Sequence, residues 1–243
     1  MEPSEASWVS VEPGSVLVGS NNRSVLFGGV GPRHEVSIGY RFQISQHLLD
    51  LELANSLIES IGAEIASESE WELAYSRGLI SGNAGTIEEL ADSFDNYWGK
   101  PCDGRPFIKK GTNPRILRIW RQNANAVPAA SWDEGGDLGQ PRNQYRLVIR
   151  DSMEWPEGPA SIPKSGNMTR ILREEALISL FVGIIPSFVW AYFNASPGYI
   201  SEGWLNLVFG GVFFGVMTII FWRPIQPTWL KRDGAMIQER SEY

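Results

Sequence analysis

Cysteine and histidine are almost missing from this 243-residue chain, which has one Cys (Cys102) and two His (His34 and His47). A lone thiol excludes an intrachain disulfide and any multi-cysteine zinc site. The two imidazoles are candidate metal ligands, but His34 lies in a strand motif and His47 precedes a helix, so both read as satisfied or exposed histidines. Basic charge is also short, with 21 Lys and Arg against 28 Asp and Glu. The imbalance is local: the chain is net −8 up to Pro163 and net +1 beyond it. An acidic domain repels polyphosphates, so nucleic-acid binding is not expected of it. The most informative absence lies near the C-terminus. Residues 176–193 (ALISLFVGIIPSFVWAYF) and 204–222 (WLNLVFGGVFFGVMTIIFW) contain no Asp, Glu, Lys, Arg or His.

As helices, these runs would each span roughly 27 to 29 Å, close to the hydrocarbon thickness of a bilayer. A helix satisfies its own backbone, so such runs are expected to form a transmembrane hairpin. Lys164, Arg170 and Arg173 precede the first run, and Arg223, Lys231 and Arg232 follow the second. The connection between them has Glu202 as its only charge. The positive-inside rule then keeps both outer flanks cytoplasmic. Trp190, Tyr192, Tyr199, Trp204 and Trp222 stand near the run ends, where amphipathic rings favour the headgroup layer. The opening segment, MEPSEASWVSVEPGS, has neither a basic n-region nor an apolar h-region, so the N-terminal domain is expected in the cytoplasm. Pro186 should kink the first helix. Gly211 and Gly215 form a G-x-x-x-G that admits close helix packing, against the first run or against another protein. With no ionisable group in either run, a proton or ion pathway through the hairpin is not expected.

The preceding residues read as a loop-rich α+β domain. Residues 15–19 and 34–38 have strand patterns, with a Gly-rich turn at 28–32 between them. Apolar residues Leu49, Leu53, Leu57 and Ile61 recur at i+4 and predict an amphipathic helix over 48–61. Residues 67–77 (SESEWELAYSR) predict a second helix, with Ser67 and Glu70 as a capping box and Trp71, Leu73 and Ala74 as its buried stripe. A short helix is expected at 87–91, irregular loops over 95–140, and a closing strand over 145–149. The expected division is a soluble domain over 1–150, a Pro-rich linker over 151–170, and a membrane hairpin with a cytoplasmic tail over 171–243.

In order along the chain, Val11-Glu12-Pro13-Gly14-Ser15-Val16-Leu17-Val18-Gly19-Ser20, Pro32-Arg33-His34-Glu35-Val36, Ile65-Ala66-Ser67-Glu68-Ser69-Glu70-Trp71-Glu72-Leu73-Ala74, Ala129-Ala130-Ser131-Trp132 and Gln144-Tyr145-Arg146-Leu147-Val148 stand out. This series resembles the formylglycine-generating enzyme / sulfatase-modifying-factor family. The resemblance implies a loop-rich C-type-lectin-like fold over most of residues 8–150. Catalytic members hold copper through a pair of cysteines near the end of that domain. Residues 131–150 contain none, and Cys102 has no partner. A soft Cu(I) ion favours two thiolates, so the fold carries over and the copper chemistry does not. Other members hold iron with a histidine cluster in an additional domain, which has no counterpart here.

Single residues add candidates. Cys102 sits in a loop (96–106) where Lys100 and Arg105 would lower its pKa, or where it serves as a buried structural thiol. The same loop offers aromatic faces and both charge signs, so Tyr97, Trp98, Asp103 and Arg105, joined by Trp132, form a candidate binding loop. Trp132-Asp133-Glu134 reads as an acidic ligand site or as a polar turn. The basic segment from Lys109 to Arg121 reads as a headgroup-facing patch or as a solvated strand face. No catalytic residue, cofactor or metal site is expected. The sequence thus points to a multi-pass cell-membrane protein whose degenerate lectin-like domain and C-terminal tail face the cytoplasm. Its expected role is non-catalytic binding or scaffolding of a protein partner, with homo- or hetero-oligomers through the hairpin. The alternatives are a divergent oxidoreductase using Cys102 or a shared metal site, and a small subunit of a larger membrane complex.

Overall fold

A computed structural model describes residues 6–111, 113–122, 125–131, 143–151, 155–196 and 198–239. The chain divides into two compact units. One holds Met1–Gly19, Pro32–Pro163 and Pro227–Tyr243, and the other Ser20–Gly31 and Lys164–Gln226.

The first unit is mixed α+β. Strands β1 (Trp8–Val11), β2 (Gly14–Val18), β3 (His34–Ile38) and β4 (Phe42–Ser45) precede helix α1 (Leu51–Ile61). Then come β5 (Glu64–Ile65), α2 (Glu68–Ser76), β6 (Ile87–Ser93), β7 (Arg115–Trp120), β8 (Ala126–Ser131), β9 (Asn143–Tyr145) and β10 (Leu147–Arg150). They form four-stranded sheets of order β1-β4-β10-β5 and β8-β7-β6-β9. A third sheet, β2-β3 with the C-terminal strands β11 (Thr228–Arg232) and β12 (Ala235–Glu239), completes the unit. In β3 the burial alternates, with His34, Val36 and Ile38 inward, as a half-covered strand requires. Helix α1 starts at Asp50, whose side chain accepts from the Leu53 amide, and stops at Gly62 in the left-handed region (φ 68°). Helix α2 has the capping box read from Ser67 and Glu70. Val11, Val36, Ile38, Phe42, Ile44, Trp71, Phe94 and Trp120 are among the side chains of the main core.

Four expectations change. Residues 87–91 are not helical but part of β6, a strand buried on both faces. Its inward Glu88, Glu89 and Asp92 are paired acids, which in the sequence mimic a helical polar face. The stretch 95–140 is not wholly irregular, because β7 and β8 pair in register over six residues each. The Pro-rich stretch after 151 is partly docked: Ser161 bridges Pro101, and Ile162 is buried. The C-terminal segment forms a hairpin whose Trp229 pairs with His34.

The second unit is helical. Helix α3 (Met168–Ile178) runs through a π-helical stretch, Ser179–Ile184, into α4 (Ile185–Asn194), and α5 (Tyr199–Met217) ends in a 3-10 turn, Thr218–Ile220. The π-stretch lies directly before Pro186, and the Ile185 amide reaches back to Leu180 O. Proline lacks a donor and crowds the preceding turn, which fits a widened spiral beside it. Met168–Asn194 and Tyr199–Ile220 are long and apolar enough to cross a membrane, and only 17 % of each apolar window is buried. Core helices of water-soluble proteins are mostly buried; here Phe181, Trp190, Phe193, Phe209 and Phe213 are each more than 60 % exposed. Where the helices meet, glycine is required. A Cβ on Gly211 would lie 2.6 Å from Ile184 Cα, and one on Gly215 2.6 Å from Ser179 Cα.

Candidate functional site

Helix α2 carries three carboxylates into a charge network, two of them held in the protein rather than in water. Glu68 and Glu70 are buried on its first turn, and Trp71 is buried beside them. The Glu68 carboxylate accepts from Tyr97 Oη (2.7 Å), Arg118 Nη2 (2.8 Å) and Lys100 Nζ (3.2 Å). Asp92 accepts from the amides of Glu68 (2.6 Å) and Phe107 (2.9 Å), with Lys100 Nζ 4.0 Å away. Glu70 binds Arg150 through two bonds (2.7 and 2.9 Å) and accepts from Tyr40 Oη and the Ser67 amide. The third, Glu72, is partly exposed and shares Arg118 (2.7 Å).

A second buried centre lies on β6. Glu88 accepts from the indole nitrogens of Trp71 and Trp120 and from Arg146 Nε, all at 2.8 Å. Arg146 in turn donates to the carbonyls of Ser45, Gln46 and Ser81, so every arm of the guanidinium is used. Glu89, on the other face of β6, pairs with Arg115.

Burial and pairing set the protonation of this network. Burial alone would raise the Glu68 carboxyl, but Lys100 and Arg118 override it and hold it at about 2. Asp92 goes the other way: burial pushes it up to about 6, against the pull of Lys100. Burial, then the nearby Lys100 charge, drops His34 to about 3, so its imidazole is neutral. His34 Nδ1 lies 2.9 Å from Pro32 O, which a neutral ring satisfies by donating, and Nε2 has no protein partner. At neutral pH this leaves Glu68 ionised and His34 neutral.

The expected loop residues fall close together. Tyr97 is buried, its hydroxyl on Glu68 and its ring against His34 (4.8 Å) and Phe94 (4.6 Å). Trp98 is half-buried and meets Trp229 edge-on at 6.4 Å. Asp103 and Arg105 bind each other at 2.6 Å, and Arg105 lies over the Trp155 ring, 5.2 Å from its centroid. Arg150 approaches the same ring at 5.4 Å. Trp132, Asp133 and Glu134 lie outside the described residues. Gly104, at φ 96°, brings the loop so close that a Cβ would stand 2.8 Å from Tyr40 Oη.

Cys102 is 1 % exposed, with Sγ 3.7 Å from Lys100 O. Burial pushes its thiol up to about 12, against the Lys100 charge, and a protonated thiol is neither nucleophile nor metal ligand. His47 is exposed. Among the described residues no three His, Cys, Asp or Glu side chains come together as a metal site. In the segment read as basic, Arg118 is buried on Glu68, Lys109 binds Asp95 (2.8 Å) and Arg115 binds Glu89, so these cations are used within the unit. Two open grooves flank the sheets. One of about 650 Å³ is lined by Gly85, Trp120, Gln122 and Val127, and one of about 230 Å³ by Val16, Leu17, Glu35 and Leu230.

The buried network was not foreseen from sequence. Its signal was there in Arg118 and Arg146, each set inside an apolar strand (RILRIW, YRLVI) where a solvated cation has no place.

No family model and no curated protein matches the chain. Among solved structures it is similar to PvdO from Pseudomonas aeruginosa, at 13 % identity over 63 % of this chain and 97 % of that one, with a TM-score of 0.40. A likeness of that degree assigns neither a family nor a fold.

Proposed function

We propose that the protein is a membrane-anchored, non-catalytic binding or scaffolding protein, a degenerate formylglycine-generating-enzyme-like domain tethered by a two-pass hairpin. The observation that carries this reading is the internal use of the soluble unit's reactive groups. Glu68, Glu70, Glu88 and Asp92 are spent on buried donors, and Cys102 is a buried neutral thiol. Catalytic acids and bases need a titrating group that faces substrate, and none of these does.

The lectin-like, sulfatase-modifying-factor assignment is supported by the convergence of the motifs that suggested it. Glu70 of the helix signature binds Arg150 of the closing strand, and the Ala66 amide donates to Arg146 O. Two crossings are supported by connectivity. Ile162 before the first span and Trp229 after the second pack into the same unit, so the number of crossings between them is even. The flanking Lys and Arg favour the cytoplasmic side for that unit. The partner is expected to be a protein, bound through the surface around Trp98, Asp103, Arg105 and Trp155.

The test uses the full chain, purified in detergent from carbonate-washed membranes. Retention in the washed membrane, no stoichiometric copper or iron, and no turnover of thiol substrates are the expected results. Stoichiometric redox metal with thiol turnover that Cys102→Ser abolishes would replace this reading with the oxidoreductase. Release by carbonate would remove the anchor.

A further inference from the structure

A membrane helix ends where its carbonyls run out of partners. The last four C=O groups of a helix lack intrahelical donors, and within lipid no water replaces them. At the end of the Tyr199–Ile220 span, donors arrive from two sources. Arg223, whose side chain is fully buried, folds back onto the helix, with Nη2 donating to Val216 O (3.2 Å) and Nη1 to Thr218 Oγ1 (2.8 Å). The other source lies almost two hundred residues earlier in the chain. The Val25 amide donates to Ile219 O (2.9 Å) and the Leu26 amide to Ile220 O (3.0 Å).

These amides belong to the Ser20–Gly31 loop, part of the same compact unit as the hairpin. The loop is closed by bonds from the Ser20 amide to Val30 O (2.8 Å) and from the Gly28 amide to Ser24 O (2.9 Å). Its neck is held by Arg23 on Glu174 (3.0 Å) and by the Gln226 amide on Asn21 O (2.8 Å). Its tip is Val25-Leu26-Phe27, exposed by 67 %, 58 % and 67 %. Phe221 and Trp222, next along the chain from the carbonyls that the loop caps, are also more than half exposed. Three consecutive apolar side chains held out by an ordered backbone are not the surface of a water-facing loop.

We infer that the Val25-Leu26-Phe27 tip is a third membrane contact, a wedge of side chains seated among the lipid acyl chains where the second span ends. The occupant is lipid because the tip's backbone is bonded to the last turn of the span. A 22-residue span rises about 33 Å against a hydrocarbon thickness of about 30 Å, so its last turn lies at the hydrocarbon boundary. Side chains one residue from that turn share its depth. The loop therefore both caps the helix and anchors the leaflet on its own account. This rests on the reading of the helices as membrane-spanning.

The experiment keeps the two ideas separable. Full-length protein with Cys102→Ser and one added cysteine is labelled with an environment-sensitive nitrobenzoxadiazole dye. It is then reconstituted into phosphatidylcholine vesicles carrying spin labels near the headgroup or near the chain end. Phe27→Cys is compared with Phe209→Cys in mid-span and with Ile61→Cys, exposed on α1. The expected result is a blue-shifted dye at position 27, quenched mostly by the shallow label, with position 209 quenched mostly by the deep one. If position 27 emits as position 61 does and escapes both labels while 209 is quenched, the wedge is overturned and the spans stand. A blue-shifted but unquenched dye at 27 would mean that a second copy covers the tip, and also overturns it. If 209 escapes quenching too, the spans themselves fail and the wedge falls with them.

Discussion

At the scale of single residues, the mixed α+β unit is held by charges placed where apolar side chains usually sit. A buried ion pair is a weak source of stability in itself, because desolvation offsets most of its attraction. Its effect is specificity: Glu88 with two indoles and one guanidinium fixes Trp71, Trp120 and Arg146 in a single arrangement. His34 shows the same economy in neutral form and supports a pH prediction. Its pKa falls from 6.5 in the unfolded chain to about 3 in the fold. Between those values the unfolded chain takes up a proton that the folded one refuses, so His34 lowers stability as pH falls. Asp92 acts oppositely: with its pKa raised to about 6, the folded form binds a proton first and gains stability on acidification. The two offset in the wild type, and the difference between variants isolates one of them. His34→Gln should gain stability relative to wild type by up to about 1.4 kcal/mol per pH unit as pH falls from 6.5 towards 3, whatever its constant offset at neutral pH. Urea titrations in mild detergent at several pH values, followed by tryptophan emission, measure this. Parallel curves for the two proteins would show that His34 protonates freely in the fold.

At the scale of elements, the periodic segments with self-contained signals could be read directly. Strand β3, helix α1 with its i+4 stripe, the Ser67–Glu70 capping box and the two apolar runs all needed only neighbouring residues to declare themselves. Strand β6 did not. In Ile87-Glu88-Glu89-Leu90-Ala91 the acids look like the wet face of a helix, whereas both are buried against partners 17 to 58 positions away. Strand β7 failed in the same way through Arg118, so the buried charge network stayed out of sight together with the strands that carry it. The candidate loop is irregular, as its turn formers suggest, but the inward position of Tyr97 depends on Glu68, 29 residues earlier. In the helical unit the Gly-x-x-x-Gly faces the first helix: Gly211 and Gly215 admit the backbone of Ile184 and Ser179. Backbone cannot yield as a flexible side chain can, so Gly211→Ile should force the two helices apart. The expected result is loss of the hairpin's thermal transition in detergent with unchanged tryptophan emission from the Trp71 and Trp120 core. A variant hairpin that melts like wild type but elutes as a smaller assembly would instead make the motif an intermolecular contact.

At the scale of the whole molecule, the chain enters and leaves the soluble unit more than once. Residues up to Gly19, then Pro32–Pro163, then the stretch from Pro227 all belong to it. A segment that departs from one folded unit and returns to it must come back on the side it left, so the proposed two-pass reading requires paired crossings whatever the orientation. On that reading, charge favours one side. Lys164, Arg170, Arg173 and Arg223 flank the spans, whereas Glu202 is the only charge in the connection, and Lys or Arg near span ends resist translocation. Part of that basic charge is neutralised within the unit, since Arg170 and Arg23 bind Glu174 while Arg223 binds Glu175. Orientation is governed mainly by Lys and Arg rather than by net charge, so these pairs should not reverse it. With Cys102 buried, single cysteines report the topology cleanly. In intact cells, a membrane-impermeant maleimide should label Ser196→Cys in the connection and spare Ile61→Cys on α1 until the membrane is opened. The opposite pattern would invert the protein and place its acidic unit outside. Equal labelling of both positions before permeabilisation would put the connection on the same side as the folded unit, so that neither helix crosses and the anchor itself fails.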